Sequence, residues 1–262
     1  MIIPELVRLG FETDEGYGDR ARLGLIVLET DQTLEAEAQA VVHDLDGVTV
    51  YHSRIAMEPE VTHETLTAMK TRLPEAAALL PTAFAFDAIG YGCTSASTLI
   101  GSDGVSACIA QAHPDIPSTD PIAAAIEAMH ALETKRVAIV TPYTAEVTAP
   151  VADRFAAAGL EVTGLGSFVE SSDLVVARIS PESIAAGVRS IAQLAPCDAV
   201  FVSCTSLRVL DIISDLEAEL DVPVVSSNSA LIWHLLRLAG VDDQLGQFGR
   251  LFASQLCKQA RR

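Results

Sequence analysis

Short apolar runs alternate with longer amphipathic segments along most of the chain. The runs at 23–28, 48–52 and 84–92 are rich in aliphatic residues, which is typical of buried parallel strands. Segments 34–45 and 61–80 have helical spacing, and Pro74 is expected to interrupt the second. This alternation predicts right-handed crossovers and a parallel sheet.

The same order of elements begins again in the second half. We predict strands at 136–140, within 160–169, at 199–203 and at 222–225, and helices at 144–158, 181–194, 207–220 and 229–238. The predicted fold is therefore α/β, with two pseudo-symmetric lobes that are each a parallel sheet flanked by helices. The expected divisions are an N-terminal arm (1–20), a first lobe (21–130), a second lobe (131–240) and a C-terminal helix (241–262) that packs back on the lobes.

A nine-residue pattern occurs twice and ends near a cysteine each time. Residues 87–95 and 198–206 both begin with Asp-Ala and end with Cys-Thr-Ser, at a constant offset (204 − 93 = 111). Each copy predicts a buried strand followed by a Thr-Ser pair that could start a helix. Ligands of α/β sheets bind beyond the C-terminal ends of the strands. We therefore expect Cys93 and Cys204 in the cleft between the lobes.

Two thiols at helix N-termini predict a reactive site for a carboxylate. Helix N-termini lower the pKa of a thiol, and their free N–H groups bind anions. A single cysteine after a strand is usually a packing residue, but a pair in the same context favours catalysis. Cys108, Cys197 and Cys257 lack this context, and we interpret them as structural and less reactive.

Charge and composition narrow the class of protein. A net charge of −18 disfavours nucleic-acid binding, which needs Lys and Arg. The sequence shows no signal peptide and no apolar stretch long enough to span a membrane. Five cysteines, an odd number, favour free thiols in a reducing compartment. We predict a cytoplasmic protein with neither a nucleic-acid nor a membrane partner.

Metal and nucleotide motifs do not occur in the sequence. The six histidines show no His-x-x-x-His spacing, and there is no Cys-x-x-Cys or phosphate-binding loop. Gly164-Leu165-Gly166 lacks the third glycine of a dinucleotide fingerprint. We therefore predict no metal and no cofactor.

Four segments resemble the aspartate/glutamate racemase superfamily, in the branch of maleate cis–trans isomerase and arylmalonate decarboxylase. They are residues 25–35, the Gly-Cys-Thr-Ser turn 92–95, Val-Thr-Pro-Tyr at 140–143, and Ser-Cys-Thr-Ser at 203–206. The segment 26–33 is most similar to ectoine-utilisation protein A. The resemblance covers almost the whole chain after residue 20.

The resemblance implies a two-lobed, cofactor-independent enzyme, often a dimer, with one catalytic cysteine from each lobe. Cys93 and Cys204 would be the acid/base or nucleophile pair. The residues that would hold the substrate carboxylate are Thr94, Ser95, Tyr143, Thr205 and Ser206. Tyr143 also has a simpler interpretation, as a partly buried aromatic residue beside Pro142.

The chain also departs from the pattern of this branch. Arylmalonate decarboxylase has glycine at the position of Cys93, which disfavours decarboxylation here. Maleate isomerase has asparagine at the position of Asp31, and another near 170–173. A carboxylate repels a substrate carboxylate but attracts an ammonium group, so Asp31 favours an amino-bearing substrate. Asp31 could instead cap the helix that begins at Gln32, or it could both cap this helix and face the ligand.

These features predict an isomerase acting on a small carboxylate, in keeping with an amino-acid-derived substrate as in ectoine breakdown. If the protein is a racemase, one thiolate would remove the Cα proton while the opposite thiol supplies a proton to the other face. As a cis–trans isomerase, one thiolate would add to the double bond and leave after rotation. The alternatives are a decarboxylase and a non-catalytic carboxylate-binding protein.

Overall fold

The protein contains two parallel four-stranded sheets with equivalent strand orders. The computed structural model describes residues 6–58 and 60–257. The strands are β1 (Ala21–Leu28), β2 (Val48–Ile55), β3 (Ala88–Gly92), β4 (Ser118–Thr119), β5 (Arg136–Thr141), β6 (Glu161–Ser167), β7 (Ala199–Val202) and β8 (Val224–Ser226). The first sheet has the order β2-β1-β3-β4 and the second β6-β5-β7-β8. The predicted pair of pseudo-symmetric α/β lobes is therefore confirmed.

Helices connect successive strands in both halves. They are α1 (Leu34–Val42), α2 (His63–Ala78), α3 (Thr94–Ile100), α4 (Ser102–Ile109), α5 (Pro121–Ala131), α6 (Ala145–Ala157), α7 (Asp173–Val176), α8 (Pro181–Ala192), α9 (Ile213–Leu220) and α10 (Ser227–Leu238). None of the helices in the described ranges is long and apolar enough to cross a membrane.

The repeated aspartates have equivalent structural roles in the two lobes. Asp87 accepts a 2.8 Å hydrogen bond from the backbone N–H of Arg22 at the start of β1. Asp198 accepts the matching 2.8 Å bond from Arg136 at the start of β5, and also pairs with its guanidinium. The first residue of each repeat therefore fixes the alignment of the strand that leads to the cysteine.

Helix α2 continues through Pro74, so the predicted interruption was wrong. Proline removes the N–H that would bond to the carbonyl four residues earlier, which here belongs to Lys70. The thiol of Cys108 lies 3.5 Å from this carbonyl and donates to it. This contact compensates for the missing bond and gives Cys108 a structural role.

The described part of the C-terminal segment, 241–257, does not form the α-helix predicted for 241–262. Within its described part, 241–257, the regular elements are two short 3-10 turns, at Gly246–Phe248 and Arg250–Ala253. The buried guanidinium of Arg237 donates to the carbonyls of Val241, Asp243, Phe252 and Ser254, which are therefore not available for helical bonds. The predicted arm, in its described part 6–20, forms neither helix nor strand.

Helix α10 connects the two sheets. It follows β8 of the second sheet directly, yet it packs against β3 of the first sheet and against α5. Gly90 in β3 makes this contact close, because an added Cβ would lie 3.0 Å from Leu235 and 3.2 Å from Leu231. The start of α10 is thereby held between the C-terminal ends of both sheets.

Candidate active site

The two cysteines of the repeat lie at the C-terminal ends of equivalent strands. Cys93 directly follows β3 and is the N-cap residue of α3. Cys204 follows β7 after a single serine. Both side chains are buried, with 2% and 5% of their surface exposed. The chain therefore places one thiol from each lobe at the edge where α/β sheets bind ligands.

The turn after Cys204 differs from the turn after Cys93. The predicted helix start at Thr205 was wrong, since the first helical turn begins at Leu210. Cys204 has a φ of 113°, a conformation that non-glycine residues rarely adopt. Such a conformation costs about 1–3 kcal/mol and persists only where the surroundings hold it. The Cys204 turn is thus a strained loop.

Hydrogen bonds join the two cysteine turns to each other. The hydroxyl of Thr205 donates to the carbonyl of Gly92 at 3.3 Å. The hydroxyl of Thr94 donates to Ser227 Oγ at 2.7 Å, and the N–H of Cys204 donates to the same oxygen at 3.0 Å. The sequence prediction missed Ser227. The sequence signal that could have indicated Ser227 is the polar run 226–229 at the end of a buried strand.

Protein acceptors occupy most of the hydroxyls predicted to bind the substrate. Thr94 and Thr205 donate as described, and Ser206 donates to Asp173 at 2.8 Å. Ser95 Oγ instead lies 3.7 Å from the thiol of Cys93. Of these four hydroxyls, that of Ser95 is therefore the one whose neighbour is a thiol rather than an oxygen acceptor.

Tyr143 lies beside Cys204. It follows β5 and is 3% exposed. Burial, and next the neighbouring Cys204, raise the pKa of its phenol well above the ordinary value. Tyr143 is therefore a neutral hydrogen-bond donor within reach of the second thiol.

Asp31 caps a helix and also presents a free oxygen. Its Oδ1 accepts hydrogen bonds of 2.8 Å from the N–H groups of Thr33 and Leu34 at the start of α1. Its Oδ2 is buried and makes no hydrogen bond of ordinary geometry, although the Thr205 side chain is close enough to lower the pKa of the carboxyl. Burial raises the pKa of this carboxyl to about 6. The capping interpretation and the ligand-facing interpretation are thus compatible.

A second carboxylate, Asp173, was missed as a site residue. It is 3% exposed and accepts hydrogen bonds from Thr30 at 2.5 Å and from Ser206 at 2.8 Å. Its charge is felt by both cysteines and by Asp31, and contributes to raising the pKa of each. The signals in the sequence were a Ser-Ser-Asp run and its match to the region where maleate isomerase has a second asparagine. The folded chain brings this carboxylate against the other lobe.

The thiols are less acidic than a free cysteine, contrary to prediction. Burial raises the pKa of Cys93 to about 11, against smaller lowering effects of the Ala96 N–H and Ser95. Burial, followed by the charge of Asp173, raises the pKa of Cys204 still further. Desolvation therefore outweighs the helix N-terminus, and both thiols are neutral in the unliganded protein at pH 7.

Loops from the two lobes contact each other at the mouth of a cavity that Ser95 also lines. Glu60 and Ser172 form an antiparallel bridge, and the N–H of Val61 donates to the Ser171 carbonyl at 3.1 Å. A cavity of about 200 Å³ extends from these loops to Ser95. In residues 6–58 and 60–257, no three His, Cys, Asp or Glu side chains are grouped so that they could hold a metal ion.

Two α/β lobes with equivalent parallel sheets place the chain in the aspartate/glutamate racemase superfamily, in the branch of maleate isomerase and arylmalonate decarboxylase. Residues 23–252 match the model of the arylmalonate decarboxylase family, and the chain belongs to this family. It is 27% identical to a maleate isomerase of Pseudomonas putida over 245 residues, which is 88% of this chain and 97% of the relative. It is 33% identical to the arylmalonate decarboxylase of Bordetella bronchiseptica over 139 residues, covering 52% and 58% of the two chains.

A solved structure shows the same fold. The maleate cis–trans isomerase of Nocardia farcinica, in a cysteine-to-serine variant with a covalently bound succinylcysteine intermediate, superposes with a TM-score of 0.81 and 25% identity. The match covers 88% of this chain and 98% of that one. The relatives are isomerases and a decarboxylase of small carboxylates, and this chain is an enzyme of that group.

Proposed function

We propose that this protein is a cofactor-independent isomerase that uses Cys93 and Cys204 on a small, amino-acid-derived carboxylate. The observation that carries the proposal is the pair of buried thiols at equivalent strand ends, joined by the Thr205–Gly92 hydrogen bond. A single structural cysteine would need neither the partner nor the connection.

The pair supports chemistry from two sides of one substrate carbon. In a racemisation, the thiolate of one cysteine takes the Cα proton and becomes a thiol. The other thiol then gives its proton to the opposite face and becomes the thiolate. The roles are exchanged for the reverse direction. Backbone N–H groups of the turns, together with Ser95 and Tyr143, would stabilise the charge that develops on the carboxylate.

Two buried carboxylates support a substrate with a positively charged nitrogen. Asp31 has a free oxygen, and Asp173 acts electrostatically on both thiols. A dicarboxylate such as maleate would face repulsion from both, whereas an ammonium group would be attracted. Its charge would also offset the carboxylates and make a thiolate easier to form. A substrate of this kind occurs in ectoine breakdown, the context of the resembling protein.

Cis–trans isomerisation is the second candidate, because maleate isomerases are among the relatives and one of them carries a succinylcysteine. Here one thiolate would add to an alkene carbon, the resulting single bond would rotate, and elimination would release the thiolate. Decarboxylation would leave Cys93 without a clear task, and a simple binding protein would need neither thiol.

Proton exchange followed by NMR in D₂O tests the proposal. The panel is aspartate, glutamate, diaminobutyrate derivatives and maleate. A racemase incorporates deuterium at Cα of an amino-bearing compound, and a cis–trans isomerase converts maleate to fumarate. Binding of a panel compound without exchange or conversion, in the wild type and in the cysteine variants alike, would indicate a binding protein and contradict the proposal.

A further inference from the structure

One buried oxygen atom holds both cysteine turns. Ser227 is the first residue of α10 and is fully buried. Its Oγ accepts the N–H of Cys204 at 3.0 Å and the hydroxyl of Thr94 at 2.7 Å. Thr94 directly follows Cys93. The two turns, which belong to different lobes, therefore share a single acceptor.

The position of Ser227 is fixed relative to both sheets. It follows β8 directly, and the helix that it begins packs on β3 of the other sheet through Leu231 and Leu235. The start of α10 is also capped, since Ser226 and Ser229 exchange hydrogen bonds of 2.8 and 2.9 Å between side chain and backbone. The Ser227 oxygen is therefore a rigid point between the lobes.

The strained Cys204 depends on this point. Its φ of 113° is unfavourable for a residue with a Cβ, and its buried N–H needs an acceptor. The strained conformation directs the N–H of Cys204 towards Ser227 Oγ, which accepts it. On the other side, the Asn228 side chain donates to the Thr205 carbonyl at 2.9 Å. The first two residues of α10 thus hold the backbone on both sides of Cys204.

We infer that Ser227 is a positioning residue for both cysteines, which fixes the Cys204 backbone and the turn after Cys93 in one joint arrangement. It acts through Thr94 and through the Cys204 peptide. The inference rests on the proposed function in that the thiols are the reacting groups. Its test, however, measures thiol accessibility and does not require turnover.

The test compares two buried serines in the first turn of α10. Ser227→Ala removes the shared acceptor. Ser229→Ala removes one of the two bonds that cap the helix, the one from the Ser226 N–H to the Ser229 side chain, and leaves the shared acceptor in place. Thermal unfolding is measured for both. Iodoacetamide labelling of each cysteine is followed by peptide mass spectrometry, with the buried Cys108 as the internal reference for general opening.

In Ser227→Ala, labelling of Cys93 and Cys204 should rise together by about tenfold relative to Cys108, because a buried hydrogen-bond network is lost. Ser229→Ala should lower the Tm but leave the ratios to Cys108 unchanged. Ser227→Thr keeps the oxygen and should restore the wild-type ratios. An unchanged ratio for either Cys93 or Cys204 in Ser227→Ala would overturn the inference.

A milder variant covers the case in which Ser227→Ala does not fold. Thr94→Val keeps the side-chain shape and removes only the Thr94–Ser227 bond, so labelling of Cys93 should rise more than that of Cys204. If the labelling of Cys93 and of Cys204 relative to Cys108 is the same as in the wild type, the inference is overturned. Full turnover in Cys93→Ala would instead contradict the proposed function, and it would leave the labelling result intact.

Discussion

Thr205 and Gly92 lie next to the two candidate catalytic cysteines, and they hydrogen-bond to each other between the lobes at 3.3 Å. The approach is close, because a Cβ on residue 92 would require the buried side chain of Leu34 to shift. The bond makes the ends of β3 and β7 one structural unit. Changes in one cysteine turn should therefore affect the other.

The first prediction concerns the cysteines themselves. Cys93→Ala and Cys204→Ala should each reduce turnover by at least about a hundredfold, since each removes a group used in every cycle. The fold should remain, as judged by circular dichroism, and Cys197→Ala is the matched control. Full activity in the double variant would disprove the catalytic role. Loss in Cys204→Ala alone would indicate decarboxylation.

The second prediction concerns thiol reactivity in the unliganded protein. Because burial raises the pKa of Cys93 to about 11, and raises that of Cys204 further, both should react slowly with iodoacetamide at pH 7. The half-buried Cys197 and Cys257 should react faster. Labelling rates from pH 7 to 10 check this, and a plateau for Cys93 below pH 9 would show that its thiol is acidic.

The third prediction concerns the free oxygen of Asp31. Opposite charges about 4 Å apart at an effective dielectric near 20 interact by about 4 kcal/mol before desolvation is counted, so even a quarter of this changes selectivity several-fold. Asp31→Asn should weaken binding of an amino-bearing substrate and improve turnover of maleate. Asparagine also caps helices, so stability should change little. If kcat/KM for both compounds is unchanged, Asp31 is only a helix cap.

The fourth prediction concerns Glu37, whose carboxylate accepts bonds from the N–H groups of Val209 and Leu210 and from Asn228. Burial raises its pKa from 4.5 to about 7. The folded state therefore binds the proton more tightly than the unfolded state. The free energy of unfolding should fall as pH rises from about 4.5 to about 7, by less than about 3 kcal/mol, and be level above that.

Urea unfolding between pH 5 and 8 checks this dependence. Glu37→Gln should lose it, whereas Glu64→Gln, at an exposed position, should keep it. Subtracting the variant curve from the wild-type curve removes the general effect of the negative net charge. A difference curve that is level, or that rises with pH, would contradict the prediction.

The fifth prediction concerns cofactors. The sequence carries neither metal nor nucleotide motifs, so exhaustive EDTA treatment and desalting should leave turnover unchanged. Elemental analysis of the same preparation provides the control. A stoichiometric metal whose removal stops turnover would overturn this prediction.

The sequence by itself determined the two lobes, the alternation of strands and helices, and the two cysteines. The spacing of apolar residues and the length of each apolar run identify buried parallel strands from the local sequence. The repeat at 87–95 and 198–206 marks equivalent strand ends without information on contacts. Asp31 was likewise predictable as a candidate, because it lies in the short turn between β1 and α1.

Only the tertiary structure decided the environment of the thiols. Ser227 and Asp173 reach the site because α10 and the loop after β6 cross to the other lobe, and local patterns carry no information on such pairings. The rise in thiol pKa comes from desolvation, which depends on everything packed around the group. The strained loop after Cys204 formed instead of the predicted helix, because its backbone groups bond to α10.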